Sequence, residues 1–207
     1  MSNLVDISNE QLSQNAYAKF SAELLFTEDQ LKEMEYLVDV VPKEKVLIGD
    51  VGDDNCLLVG RFMQDKKNEL PIISNGDMGK KMLSILNSSN VKNYFDSLIN
   101  TDSYIRRCQA NILTEGSHIG VHIDTYSNMD YIYSVVVQFG KDYEGGEFFV
   151  HYNNNEHSIK TTYHDVLINK CEIPHGVKKV LGGNRKSLVF FVSDAPLTKY
   201  NEDNHQI

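Results

Sequence analysis

The sequence is poor in cysteine, and its three cysteines, Cys56, Cys108 and Cys171, lie far apart in the chain. No CxxC pair is present, so neither a zinc ribbon nor a disulfide scaffold is supported. Scattered cysteines in odd number are typical of reduced, buried thiols. We therefore expect a cytoplasmic protein whose fold does not depend on disulfide bonds.

Long apolar runs and clustered positive charges are also missing. No apolar stretch approaches the ~18 residues of a membrane-spanning helix, and the start "MSNLVDISNEQ" lacks the pattern of a secretory signal. The formal net charge is -9, whereas nucleic-acid binding needs clustered lysine and arginine. The most basic segments, at Arg106-Arg107 and between Lys178 and Lys186, are modest. We expect neither a membrane nor a nucleic acid as partner.

What is present suits one folded domain. The chain has 207 residues, of which 41% are hydrophobic and 24% charged, and this length can bury a sizeable core. No internal repeat or low-complexity linker divides it. We expect a single domain over 1–207, with a helix-rich part at 1–100, a β core at 101–195 and a C-terminal tail at 196–207.

The first hundred residues carry helical patterns. In "TEDQLKEMEYLV", Thr27 is followed three residues later by Gln30, which predicts a capping box at the start of a helix. Apolar residues then recur at helical spacing from Leu31 to Val38. Two more helices are predicted at "DMGKKMLSILN" and "NVKNYFDSLIN", with short strands at "KVLIG" and "CLLVGRFM".

From Ser103 onwards the pattern changes to short β runs separated by turn formers. The strand-like segments are "YIRRCQANIL", "HIGVHID", "YIYSVVVQF", "GEFFVHY", "HSIKTT", "DVLIN", "HGVKKVL" and "KSLVFFVSD". About eight short strands in some 90 residues favour a sandwich or jelly roll over a parallel sheet. The expected fold is α+β, with N-terminal helices packed on a double-sheet β core.

One polar pair stands out in the segment "GVHIDTYSN". Alternation along a strand puts His122 and Asp124 on one face, and both side chains are good metal ligands. An HxD pair alone is a weak signal, because chance often supplies it and a solvated strand end is the more common explanation. Downstream, His175 in "CEIPHGVKKVLGGNRKSLVFF" would complete a facial triad of two histidines and one carboxylate, which is suited to iron(II).

A cation and a hydroxyl follow this third ligand. Arg185 comes ten residues after His175, and Ser187 comes two residues later. A facial triad leaves three positions of the iron open, which can hold a 2-oxo acid and O2. A guanidinium can grip the far carboxylate of such an acid through two parallel hydrogen bonds.

Together these residues resemble the Fe(II)/2-oxoglutarate-dependent oxygenases of the prolyl 4-hydroxylase type. The resemblance covers a little under half of the chain, and it also includes the turn in "YEGGEFFV". It implies a double-stranded β-helix, or jelly roll, with His122, Asp124 and His175 as the iron(II) ligands. It further implies that Arg185 pairs with the 5-carboxylate of 2-oxoglutarate and that Ser187 assists.

The chain departs from this family at one feature of the co-substrate pocket. Relatives often offer a tyrosine hydroxyl from one of two strands, where this chain has approximately Ile112 and Gln138. Gln138 is a lone polar residue in "YIYSVVVQFG", so its amide is a candidate replacement, although an edge-facing glutamine explains it equally well. Asp124 favours hydroxylation, because related halogenases have Gly or Ala at that position.

The resemblance implies an enzyme that hydroxylates an aliphatic C–H bond. It would use O2 and 2-oxoglutarate, release succinate and CO2, and be supported by ascorbate. The implied substrate is an amino acid or a peptidyl residue, with proline first among the candidates. Two alternatives stay open: a non-catalytic cupin-like binding module, which would not explain Arg185 and Ser187, and the same iron chemistry ending in desaturation or ring closure. The oligomeric state also stays open.

Several residues near this site have two interpretations. Arg107 and Gln109 alternate with apolar neighbours on a strand that leads to the site, so they face either the pocket or solvent. Tyr126, Asn128 and Tyr131 follow the ligand pair in a loop. Such loops often carry substrate contacts, but Tyr and Asn are also ordinary loop residues.

Overall fold

The computed structural model describes residues 2–48, 54–65 and 69–195, so the expected tail at 196–207 lies outside the described residues. These ranges contain four α-helices: α1 (Ser2–Asn15), α2 (Glu28–Val40), α3 (Gly76–Leu86) and α4 (Ser89–Ile99). They also contain thirteen strands: β1 (Tyr17–Ser21), β2 (Glu44–Ile48), β3 (Asp54–Gln64), β4 (Ile72–Ile73), β5 (Tyr104–Thr114), β6 (Ile119–His122), β7 (Tyr133–Gln138), β8 (Tyr143–Gly145), β9 (Phe148–Tyr152), β10 (Asn155–Ile159), β11 (Asp165–Lys170), β12 (His175–Val177) and β13 (Val180–Ser193). Within this described part, every helix is too short or too polar to cross a membrane.

The three helices predicted from the sequence are confirmed. The capping box of α2 is present: the backbone N–H of Gln30 donates to Thr27 Oγ1 over 3.2 Å, and that of Thr27 donates to Gln30 Oε1 over 2.9 Å. After α4, Asn100 has a φ of 57°, a left-handed conformation that asparagine tolerates at the end of a helix. Helix α1 is an addition that the sequence analysis did not predict.

The N-terminal hundred residues also build part of the β structure. β1 pairs with β11, and the long strand β3 pairs with β5, while β2 and β4 lie against β3. The expectation of helices resting on a separate β core was therefore incomplete. Backbone N–H and C=O groups at a sheet edge need hydrogen-bond partners. β1 provides these partners for β11, and β3 provides them for β5.

The strands form two sheets that face each other. The pairing order β1-β11-β7-β13-β5-β3 makes the larger sheet and continues as β6-β12-β9-β10 in the smaller one, and β8 pairs with the first part of β13. All of these described pairs are antiparallel. This double sheet with its helical layer confirms the predicted α+β fold.

The central strands are apolar on both faces because each face is covered. In β7, Val135 and Val137 pack with the helices, whereas Val136 packs between the two sheets. In β13, Phe190 likewise belongs to the core that includes the helices. A fully buried charged side chain such as Arg185 is therefore unusual in these central strands.

Candidate active site

Pairing between β6 and β12 brings two predicted ligands together. His122, the last residue of β6, lies directly opposite His175, the first residue of β12, and their ring centroids are 4.4 Å apart. Asp124 begins a short 3-10 helix immediately after β6. Its Oδ1 is 3.4 Å from Nε2 of His122, and its Oδ2 is 3.1 Å from Nε2 of His175.

These three side chains can hold one metal ion. Each offers one ligand atom, and the three atoms lie within 4.8 Å of one another. Asp124 and His175 are buried, and His122 is half-buried. Two imidazole nitrogens and one carboxylate oxygen are the donor set of a facial triad, so the residues fit iron(II) with positions left for further ligands.

Backbone carbonyls fix the orientation of both imidazole rings. Nδ1–H of His122 donates to the carbonyl of Gly120 over 2.9 Å, and Nδ1–H of His175 donates to that of Ile173 over 2.7 Å. A neutral imidazole carries one N–H, so with that N–H on Nδ1 each Nε2 can present its lone pair to a metal. Phe148 stacks on the His175 ring, with centroids 5.4 Å apart.

Asp124 is held in its charged form despite its burial. Burial alone would raise the pKa of its carboxyl group, but the interactions with His175 and His122 outweigh burial and lower the pKa below its ordinary value. Burial, reinforced by the nearby Asp124 carboxylate, raises the pKa of the Cys171 thiol. The aspartate is thus available as an anionic ligand, and the neighbouring thiol stays protonated.

Arg185 is a buried cation with unused hydrogen-bond donors. It is 2% exposed, and its Nη1 donates to Ser187 Oγ over 3.4 Å. Its Nε and Nη2 have no hydrogen-bond partner among the described residues. Burial lowers the pKa of the guanidinium, an effect that the Tyr143 hydroxyl opposes. Leaving such a cation unpaired is costly, so the site is suited to an anion such as a carboxylate.

The glycine turn between β8 and β9 makes room for this arginine. Gly145 and Gly146 both have positive φ values, of 67° and 64°. A Cβ atom on Gly146 would lie 3.1 Å from Cδ of Arg185, so a larger residue would press against the arginine. The turn in "YEGGEFFV" therefore forms one wall of the pocket around Arg185.

Tyr143 is a site residue that the sequence analysis missed. Its hydroxyl donates to the carbonyl of Thr161 over 2.5 Å and lies 3.1 Å from Thr161 Oγ1. These bonds fix the half-buried hydroxyl near the Arg185 guanidinium. The available signal was the position of Tyr143 two residues before the first glycine of the turn.

Neither Gln138 nor Ile112 is among the described residues that line the cavity. Ile112 packs against the core on the helical side, and its neighbour Asn111 lines the cavity instead. Gln138 is buried but does not line the cavity, because its Nε2 donates to the Lys186 carbonyl over 3.1 Å and its Oε1 accepts from Thr161 Oγ1 over 3.2 Å. A direct bond from Gln138 to 2-oxoglutarate stays a prediction, and Tyr143 supplies the hydroxyl next to Arg185.

A cavity between the two sheets connects the three candidate ligands with Arg185. Arg107 and Gln109, whose direction the sequence left open, both line it. Of the loop residues after the ligand pair, Asn128 and Tyr131 are buried, and Tyr126 is exposed. Ser187 is buried beside Arg185.

Comparisons with known proteins agree with this geometry. The model of the 2OG-Fe(II) oxygenase superfamily matches residues 108–193, which include the three candidate ligands and Arg185. The chain is 22% identical over 140 residues to the PKHD-type hydroxylase A9601_13531 of Prochlorococcus marinus (strain AS9601). That match covers 66% of this chain and 63% of the relative, so the chain spans less than two thirds of the relative's length.

Two solved structures are similar over nearly the whole chain. An oxidoreductase of the 2OG-Fe(II) oxygenase family from Burkholderia pseudomallei has a TM-score of 0.86 and 32% identity, covering 92% of this chain and 91% of the other. A prolyl hydroxylase from Trichoplax adhaerens, in complex with a hypoxia inducible factor oxygen degradation domain peptide fragment, has a TM-score of 0.65 and 16% identity, with coverages of 97% and 92%. The first similarity extends to sequence, whereas the second is one of fold alone.

Proposed function

The chain belongs to the 2OG-Fe(II) oxygenase family, and from that premise we propose that it is an iron(II)- and 2-oxoglutarate-dependent hydroxylase of an aliphatic C–H bond. One observation carries the proposal: three metal-ligating side chains and a buried arginine with unused donors meet in one cavity. A metal-binding module without catalysis would leave the second half of that observation unexplained.

Each residue of the site has a defined task in this proposal. His122, Asp124 and His175 hold iron(II). Arg185 pairs with the 5-carboxylate of 2-oxoglutarate, with Ser187 and Tyr143 orienting its guanidinium. When bound, the metal and co-substrate supply the activation of O2, in which 2-oxoglutarate becomes succinate and CO2 and one oxygen atom enters the C–H bond. The apolar residues that line the cavity, such as Val136 and Val189, limit the access of water to the reacting groups.

We propose an amino acid or a peptidyl residue as the substrate, with proline among the candidates. The Trichoplax prolyl hydroxylase was solved with a peptide, and its fold is similar to that of this chain. Next to Asp124, Tyr126 and Met129 are exposed, which offers apolar contacts to a substrate at that side of the site. Desaturation and ring closure use the same residues, so they are distinguished by the product.

The test measures succinate released from 2-oxoglutarate by the purified chain with iron(II), O2 and ascorbate as the reductant. Mass spectrometry of added amino acids and peptides then identifies the product. A gain of one oxygen atom supports hydroxylation, whereas a loss of two hydrogens supports desaturation or ring closure. Absence of iron-dependent succinate from a folded, metal-loaded protein would contradict the proposal.

A further inference from the structure

The cavity carries a second polar region, formed by β3 and β5 and separate from the Arg185 pocket. Arg61, Arg107, Gln109 and Asn111 line the cavity from these strands, and we refer to these four residues as the β3–β5 wall. Gln109 lies directly opposite Arg61 in the strand pairing. Residues two apart on a strand share a face, so the three from β5 form a row.

A β-bulge lies at the Arg107 end of this row. In the pairing of β5 with β13, Phe190 lies opposite Cys108 and Phe191 lies opposite Arg106. Arg107 is therefore an extra residue in β5. Bulges of this kind redirect side chains and are frequent beside active sites.

The neighbouring residue, Arg106, makes its contacts in the protein interior and not in the cavity. Arg106 is fully buried, and its Nη2 is 2.9 Å from Oδ1 of Asp65. Oδ2 of Asp65 accepts a hydrogen bond from Asn128 over 3.1 Å. The bulge thus separates a structural arginine from one that lines the cavity.

The cavity is basic although the chain carries a net charge of -9. Among the described residues that line it, Asp124 is the one acidic group, against the guanidinium groups of Arg61, Arg107 and Arg185. Asp124 and Arg185 are committed to the metal and the co-substrate in the proposed function. Arg61 is bonded to Glu44, whose Oε1 lies 2.7 Å from Nη2 and 3.0 Å from Nε. Arg107 adds a third guanidinium to the lining, two residues from Gln109 on the same strand.

Gln109 adds an unpaired acceptor next to this cation. Its Nε2 donates to Asn111 Oδ1 over 2.8 Å, while its Oε1 is buried without a hydrogen-bond partner in the described part of the chain. A buried acceptor without a partner is costly, and an N–H group of a ligand would satisfy it. A cation beside such an acceptor complements a molecule that has a carboxylate and an N–H close together.

We propose that the β3–β5 wall binds the substrate, with Arg107 pairing with a free carboxylate and Gln109 accepting a hydrogen bond from the adjacent N–H. This inference rests on the proposed function and narrows its substrate. The oxidised residue carries its own free α-carboxylate, as a free or N-acylated amino acid does. An internal residue of a protein chain lacks that charge.

The experiment compares matched pairs of acid and primary amide. Proteinogenic amino acids and their N-acetyl derivatives are each offered in both forms to the full chain with iron(II) and 2-oxoglutarate. Oxygen gain is followed by mass spectrometry, and binding by ligand-observed NMR with zinc(II) in place of iron(II). We expect at least one acid to bind and be oxidised, and its amide to be at least about tenfold poorer in kcat/KM. Equal use of acid and amide, or no binding by any acid, would overturn the inference.

Variants of Arg107 test the residue itself. Arg107→Gln should lower kcat/KM for the acid at least about tenfold and bring the acid-to-amide ratio close to one, because the charge partner is gone. Arg107→Lys should recover part of the ratio, since it keeps the charge but not the forked geometry. Lys80→Gln, which removes an exposed charge on α3, should leave the ratio unchanged. An unchanged ratio in Arg107→Gln would refute the role of Arg107.

Two further measurements distinguish failure of this inference from misfolding of the variant and from failure of the proposed function. If Arg107→Gln does not fold, as judged by its circular dichroism, Gln109→Met provides the second test and should weaken binding of the acid in the NMR assay. Iron-dependent succinate formation without added substrate reports on the proposed function alone. If it persists while every acid fails, only this inference falls; if it is absent together with metal binding, the proposed function falls.

Discussion

His175 has its ring orientation fixed by three independent contacts. It lies opposite His122 in the strand pairing, donates from Nδ1 to the Ile173 carbonyl, and stacks on Phe148. Asn169 also approaches its Nδ1, at 3.4 Å. Side chains held in this way lose little entropy when they bind a metal, which favours tight binding.

Replacing this histidine should remove the metal site. In His175→Ala, we expect affinity for iron(II), measured by anaerobic calorimetry, to fall by more than about a hundredfold, because one of three ligands is lost. Succinate formation should drop to background. The control is His151→Ala, which removes a half-exposed histidine of the same small sheet that lies near Glu156. Turnover that persists in His175→Ala would contradict the assignment.

Replacing Arg185 should affect the co-substrate and not the metal. In Arg185→Gln, we expect KM for 2-oxoglutarate to rise about ten- to a hundredfold, because the buried charge partner of its 5-carboxylate is lost. Iron(II) affinity should stay close to that of the original chain. Lys186→Gln is the matched control, since Lys186 binds Glu35 and Asp39 away from the cavity. Loss of metal binding in Arg185→Gln would show that its role is different.

At the scale of elements, the local sequence pattern predicts some helices and strands, whereas others form only because of long-range strand pairing. The capping residue Thr27 and the apolar stripe after it predict α2 without knowledge of the rest. β1 (Tyr17–Ser21) is too short and too mixed to be recognised, and it is a strand because β11 offers it an edge. Such a pairing joins segments more than a hundred residues apart, so no local window contains its cause.

The same division applies to the site. Residue types and spacing make His122, Asp124 and His175 candidate ligands, and the resemblance to the oxygenase family implies this set together with Arg185. Tyr143 could not be placed, since its position depends on how the glycine turn packs against β13. The separate tasks of Arg106 and Arg107 depend on a bulge, which shifts the alternation that a sequence pattern assumes.

The cap of α2 should contribute measurably to stability. We expect Thr27→Ala to lower the free energy of unfolding by about 1 kcal/mol, because an N–H at the start of the helix loses its partner. Urea unfolding followed by circular dichroism measures the change. Thr101→Ala is the control, since Thr101 is exposed and makes no side-chain hydrogen bond to a described residue. Equal effects of the two substitutions would argue against the cap.

At the scale of the whole molecule, one core joins both halves of the sequence. Leu12 and Phe26 from the N-terminal part pack in the same cluster as Val135 and Phe190 from the β-rich part. Burial of apolar surface is shared across this cluster, so neither half has a complete core of its own. A shared core of this kind is expected of one cooperative unit, and the single domain over 1–207 stays a prediction.

A single domain should unfold in one step. Calorimetry should give one transition whose calorimetric and van't Hoff enthalpies agree. Leu12→Ala should lower the free energy of unfolding by about 2–5 kcal/mol and move the whole transition to a lower temperature. The reason is that Leu12 is 2% exposed and its truncation leaves a cavity. Leu24→Ala, at a leucine that is 60% exposed, should have little effect. A split transition in Leu12→Ala would show that α1 unfolds separately.

The bulge in β5 makes the length of that strand as significant as its composition. Deleting Arg107 would restore regular alternation and carry Arg106 into the cavity, leaving an arginine there but stripping Asp65 of its buried partner. An insertion at the same point would turn the residues that precede it towards the opposite face. Arg107 is thus proposed to contact the ligand, while the adjacent Arg106 stabilises the interior. We expect this strand to tolerate substitutions far better than any change in its number of residues.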